Sequence, residues 1–200
     1  MANMKKTLTS ILAIGVLVFL LLTTCTASDE KEKDRSRIYV TSLQENWGRV
    51  QAKALNWHSD AYLTGVIIPI LVDSPRPGQS LLHAYFFSVS ENQRMLDVVV
   101  DSDNTIHSET SPLVQPLADP PIMSPDWRID SVDALVAMIM DKDVEYLLAF
   151  AETQCSTLTL EKTSNIAMEG AVWRILIHDC GMSSYLRKEY INAVSGEPVK

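Results

Sequence analysis

Three cysteines, at positions 25, 155 and 180, and four histidines, at 58, 83, 107 and 178, have the most scope for chemistry in this chain. Cys155 and Cys180 suit a disulfide. They flank two strand-like runs, Ser156–Leu160 and Ala171–His178. An antiparallel hairpin centred near Ala167 would bring the two cysteines face to face at its open end, where cross-strand Cβ atoms approach to about 5 Å. The bond would close a loop of roughly 25 residues and contribute about 3 kcal/mol. Two Cys without a nearby pair of His make a poor zinc site. The histidines show no ligand-like spacing, and His83 beside Tyr85 reads as strand surface. His178 precedes Asp179, and a hydrolytic centre would require both to meet a hydroxyl such as Ser183 or Ser184. HExxH, GxSxG, P-loop and CxxC patterns are all absent. Asp101-Ser102-Asp103-Asn104 opens like a calcium loop, but Thr105 and Ile106 stand where a third ligand and a glycine are required, so it reads as a turn. Asp141, Asp143 and Glu145 read as a solvated helix end. Trp47, Trp57, Trp127 and Trp173 read as core residues, and as the walls of a peptide groove only where a ring is exposed. The expectation is no catalytic residue, no cofactor and no metal.

The elements that would position these groups are legible in part. Ser42-Leu43-Gln44-Glu45 is a capping-box pattern, followed by Leu43, Trp47, Val50 and Ala54 at helical spacing, with an end near Asn56. Ala61–Val72 reads as a strand whose Pro69 points to an edge or bulge. Ser74–Gly78 is a turn. Leu81–Val89 and Arg94–Asp101 follow as strands. Ser111 to Pro125 holds five of the nine prolines, at 112, 116, 120, 121 and 125, and reads as a linker or surface strap. A second helix starts at Asp130 or Ser131 with Val132, Leu135, Val136 and Ile139 as its apolar stripe. Glu145–Ala151 and Cys155–Leu160 read as strand, Ala171–His178 carries Trp173, Ile175 and Ile177 on one face, and Tyr185–Asn192 is the last strand. The distance from Ser42 to Asp101 nearly matches that from Ser131 to Asn192, which suggests a duplication.

The first 30 residues set an address. Lys5 and Lys6 precede an uncharged run from Leu8 to Leu22 that ends in Thr23-Thr24-Cys25-Thr26-Ala27-Ser28, the layout of an export signal. Leu22-Thr23-Thr24-Cys25 resembles a bacterial lipobox, which implies lipidation of Cys25 and a membrane anchor; it departs from that pattern at Thr24. Cleavage after Ala27 would instead release the protein, and an uncleaved anchor would be short against the roughly 20 residues a bilayer needs. Ser28–Arg37 is a charged tether. Export would place Cys155 and Cys180 in an oxidising compartment. Losing Lys5 and Lys6 leaves 15 basic residues of the 17 against 25 acidic ones. That balance excludes nucleic acid and anionic lipid as partners that need a basic face.

The closing segment Asn192-Ala193-Val194-Ser195-Gly196-Glu197, with Trp173 entering the middle strand, resembles the PepSY family of small extracytoplasmic domains. Val100–Ile106 is a glycine-free version of the same turn. The resemblance implies a non-catalytic module that binds or restrains a peptidase or another envelope protein, held at the membrane by a lipid anchor. The expected fold is α+β, with two helix-plus-antiparallel-meander units and the helices packed on one face of the sheets. The organisation is a signal over 1–25, a tether over 26–37, a first unit over 38–107, a Pro-rich linker over 108–126 and a second unit over 127–200. A small-ligand carrier with a pocket between helix and sheet is the alternative, and an unfamiliar hydrolase a further one.

Overall fold

The computed structural model describes residues 38–72, 74–91, 93–113, 121–123, 126–139, 154–162, 170–179 and 185–199. The signal, Cys25, the tether, the Asp141/Asp143/Glu145 cluster, Cys180, Ser183 and Ser184 lie outside them. Residues 37–200 form one compact unit. Its strands are β1 (Ile38–Tyr39), β2 (Tyr62–Val72), β3 (Ser80–Phe87), β4 (Arg94–Asp101), β5 (Ile106–Pro112), β6 (Gln154–Glu161), β7 (Val172–Asp179) and β8 (Tyr185–Asn192). The helices are α1 (Leu43–Trp57) and α2 (Ser131–Ile139).

The expected pair of helix-plus-meander units is corrected by the sheet. All eight strands belong to one antiparallel sheet in the order β5-β4-β3-β2-β6-β7-β8, with β1 paired to the end of β2. Strand accounts for 48% of the described residues against 21% in helix, so the fold is sheet-dominant. The join is β2 against β6, from Gly65↔Glu161 to Ile70↔Ser156, which merges the two meanders edge to edge. One cross-strand row shows the result. Val98, Ala84, Val66, Leu160, Trp173 and Ile191 are successive ladder partners, and all are buried. The Val, Leu and Ile side chains of this row each contribute about 1.5–3 kcal/mol by leaving water, the Ala84 methyl less and the indole more. α1 packs on β3, β4 and β5, and α2 on β7 and β8, within the same hydrophobic cluster.

Pro69 does not mark an edge. It sits in the most central strand, paired with Thr157 of β6, while the β3 ladder stops at Ile67. A missing N–H is tolerated where one neighbour has dropped away. The Pro-rich stretch gives up its first residues to β5, and Ile122 from it is buried and bridges Leu63. α2 is rotated from its expected stripe: Ser131, Ala134, Leu135 and Met138 are buried, whereas Val132 and Val136 are exposed. Its small residues let the helix approach closely, so packing overrides hydrophobicity.

The helix starts are tied to each other. Ser42 Oγ accepts from Glu45 N (3.0 Å), the observed half of the capping box. Gln44 N donates to Asp130 Oδ1 (2.9 Å) and Leu43 N to Ser131 Oγ (2.9 Å). Ser131 Oγ in turn donates to Thr41 O (2.7 Å). Three amides that a helix cannot satisfy internally thus have side-chain acceptors, two of them from the start of α2. Trp47 of α1 stacks on Phe86 and meets Trp127 edge-on at 5.5 Å, so Trp127 pins its segment to the first helix. Trp173 donates from Nε1 to Ile129 O (2.8 Å).

Candidate interaction edge

β5 is produced by the turn after β4. Asp101 N donates to Thr105 O and Asn104 N to Asp101 O, with Asn104 at φ 65°. This three-residue hairpin needs a left-handed residue before the strand resumes, and asparagine supplies it without glycine. Asp103 accepts from Thr105 N (2.9 Å), which holds its carboxyl below the usual range through the side-chain and backbone bonds to Thr105. The sequence Asp101–Ile106 is therefore a hairpin turn. α1 clamps it from the side: Arg49 donates from Nη1 to Asn104 Oδ1 (2.5 Å) and from Nη2 to Asn104 O (2.6 Å).

The turn also fixes which way each β5 amide points. Asp101 N→Thr105 O and, at the far end, Leu113 N→Gln93 O are hydrogen-bonded pairs of the β4–β5 ladder. Antiparallel partners alternate between bonded and non-bonded pairs. His107, Glu109 and Ser111 therefore direct their N–H and C=O toward β4, and Ile106, Ser108 and Thr110 direct theirs away. Pro112 has the outward phase but no N–H. Among the described residues nothing pairs with this outer side, and six of the seven β5 residues are exposed.

Side chains stiffen the β3–β4–β5 face opposite the helices. His107 Nδ1 lies 3.1 Å from Asp101 Oδ2, and Ser80 donates to Asp101 Oδ1 (3.1 Å). His83 Nδ1 is 3.0 Å from Asp97 Oδ2 and its ring stacks on Tyr85. The Asp97 hydrogen bond raises the His83 pKa above its usual value against the opposing effect of burial. Burial likewise raises that of Tyr85. At the β3–β4 connection Asp60 accepts from Ser88 Oγ, Ser90 N and Ser90 Oγ, and these bonds hold its pKa down to about 2.

The opposite end of the sheet is treated differently. After β8, Asn192 Oδ1 accepts from Val194 N and Ser195 N, Gly196 takes φ 76°, and the chain returns. Asn192 N donates to Glu197 O and Val199 N to Tyr190 O, so the C-terminal segment covers the end of β8.

The other sequence candidates fall elsewhere. Cys155 is disulfide-bonded and stands opposite His178 in the β6–β7 ladder. His58 lies 3.8 Å from Glu91. Among the described residues no three His, Cys, Asp or Glu side chains gather as a metal site, and no helix is long and apolar enough to cross a membrane. An open pocket of about 640 Å³ lies beside the α1 start, lined by Tyr39, Thr41, Glu45, Arg49, Asp101 and Val132 among others. Several of its polar groups are already engaged: Arg49 with Asn104, Asp101 with Ser80 and His107, Ser42 with Glu45 and Ser102 with Arg76. It offers a carrier few uncommitted contacts. β5 itself is the element that sequence reasoning missed, because Ile-His-Ser-Glu-Thr-Ser-Pro lacks the apolar alternation of a buried strand. The left-handed-tolerant Asn104 after Asp101 was the available signal.

Compared with family models, curated proteins and solved structures, the chain matches none.

Proposed function

We propose that this protein is a non-catalytic binding module, tethered to the outer side of a membrane through a lipidated Cys25, that captures an extended segment of an envelope protein or peptidase along β5. The export-like N-terminus, the charged tether and the acidic balance of the chain support the address. The observation that carries the binding mode is the outer side of β5, where Ile106, Ser108 and Thr110 present ladder donors and acceptors to solvent. Main-chain hydrogen bonds to such an edge supply affinity, and side-chain pockets alternate along the added strand.

The test places a photo-crosslinking residue at Thr110 of the full chain in its native membrane, with and without Ser108→Pro. The Ser108 N–H points away from β4, so proline removes an edge donor and leaves the β4 ladder in place. Adducts to a partner polypeptide that disappear with Ser108→Pro support capture by strand addition. Adducts unchanged by it overturn that mechanism. Intact mass of the same preparation reads the anchor: a chain starting at Cys25 and carrying acyl mass supports it, and a chain starting at Met1 removes it.

A further inference from the structure

We infer that the segment best matched to the β5 edge is β5 of a second copy of this chain, paired antiparallel about Ser108; this rests on reading β5 as an open pairing edge. The geometry is self-complementary in two independent ways. The outward-pointing residues are Ile106, Ser108 and Thr110, symmetric about Ser108. Pairing about that residue sets Ser108 against Ser108 and Ile106 against Thr110 in both directions. Every outward N–H and C=O of these three residues then meets a partner of opposite kind. Pro112, which cannot donate, lies one outward position beyond this matched set.

The side chains obey the same centre. His107 and Glu109 both lie on the sheet face away from the helices, because their ladder partners Val99 and Asp97 do. About Ser108, each copy's His107 falls directly opposite the second copy's Glu109. These are non-hydrogen-bonded pairs, with Cα atoms about 4.5 Å apart, so the imidazole and the carboxylate come within hydrogen-bonding reach. The His107 contact to Asp101 runs through Nδ1, which leaves Nε2 as the ring nitrogen that Asp101 does not engage. Shifting the centre by one residue to Glu109 would put Glu109 against Glu109, a like-charge pair that is destabilising. A centre at Thr110 would set Ser108 against Pro112 and lose a ladder bond on each side. Of these three centres, Ser108 alone pairs every outward group of Ile106, Ser108 and Thr110 without setting like charges opposite each other.

Two copies so joined form one continuous sheet and occupy the edge that would capture another polypeptide. Self-pairing therefore competes with partner capture, and raising the surface density of the protein withdraws it from binding.

The test is disulfide trapping of the full chain purified in detergent, with Ser108→Cys compared with Ser111→Cys under mild oxidation. Directly opposed, hydrogen-bonded partners have Cα atoms about 5.5 Å apart, inside the range a disulfide spans. In the same register the two 111 positions are six residues apart along the strand, about 20 Å. The expected result is a 108–108 linked peptide, identified by mass, with the dimer fraction at least ten times that of Ser111→Cys. Equal or absent dimer in the two variants overturns self-pairing. Where trapping fails but Ser108→Pro still abolishes partner adducts at Thr110, self-pairing falls and the edge reading stands. Where both fail, both fall together.

Discussion

Ser131→Ala tests how much of the molecule hangs on one buried hydroxyl. Ser131 Oγ accepts from Leu43 N (2.9 Å) and donates to Thr41 O (2.7 Å), and both Leu43 and Ser131 are 0% exposed. Alanine strands the buried Leu43 N–H, the first amide of α1, and removes a donor from the Thr41 carbonyl. A stranded buried group costs about 1–3 kcal/mol, and losing a helix cap typically costs about 1 kcal/mol. Partial relaxation of the two groups toward each other lowers the sum, so the expected loss is about 2–4 kcal/mol.

The assay is urea unfolding followed by tryptophan fluorescence, which Trp47 and Trp127 report from the α1–sheet contact. With a slope of about 2 kcal/mol per molar urea, the midpoint should fall by about 1–2 M without a change in slope. Asp130→Ala, which frees the part-buried Gln44 amide, should cost less, about 1 kcal/mol, and should combine with Ser131→Ala less than additively because the two act on the same helix start. A Ser131→Ala loss under about 0.5 kcal/mol would refute the bridging role. A changed slope would instead mean that α1 had detached as a unit.

Arg49→Met keeps most of the stem and removes the clamp on Asn104, so hydrogen exchange should rise over Ser102–His107 while global stability falls by no more than about 1 kcal/mol. His83→Gln should flatten a pH dependence: the Asp97 pair raises the folded pKa, so its stabilisation is full below about 6.5 and is lost as pH rises through the folded value. Urea midpoints of both chains from pH 5 to 8 should converge at the alkaline end. Asp60→Asn should remove a destabilisation of the opposite sense, which sets in as pH falls from 3.8 through about 2. Reduction should add about 2 Da for a single Cys155–Cys180 bond, and Cys155→Ser should cost about 3 kcal/mol. A mass unchanged on reduction refutes the bond.

Local physics made much of this fold legible. α1 announced itself through a capping serine and a helical stripe, and the bounds of β4 and β8 followed from turns that the sequence marks. Trp173, Ile175 and Ile177 share the buried face that alternation required. The join of β2 to β6 was not legible, because strand pairing across some 90 residues leaves no local trace. One clue was misread: Pro69 argued for an edge, yet its strand pairs on both sides, with the proline opposite Thr157 and beyond the last β3 partner at Ile67. α2 shows the converse failure, since Ala134 and Ser131 are buried for their size and Val136 is left outside. The candidate site was the least legible element because an exposed edge strand needs no hydrophobic pattern.

The two ends of the sheet give this edge its meaning. A turn of the same general kind follows β4 and β8. After β8 Pro198 bridges Ile191, whereas after β4 the chain runs on as a strand of seven residues. Ordering each residue costs about 1–2 kcal/mol of backbone freedom, and Ile106 alone among the β5 side chains packs against the core. β5 is accordingly held by its β4 hydrogen bonds more than by burial, and its amides should divide into two classes. Those of His107, Glu109 and Ser111 point into the ladder and should exchange slowly; those of Ile106, Ser108 and Thr110 point outward and should exchange at rates near those of an open chain. Residue-resolved exchange at low protein concentration reads this alternation directly. Raising the concentration should protect the three outward amides together, and Ser108→Pro should prevent it. A uniform rate along β5 would refute the assigned phase, and with it the register on which the capture and self-pairing proposals both depend.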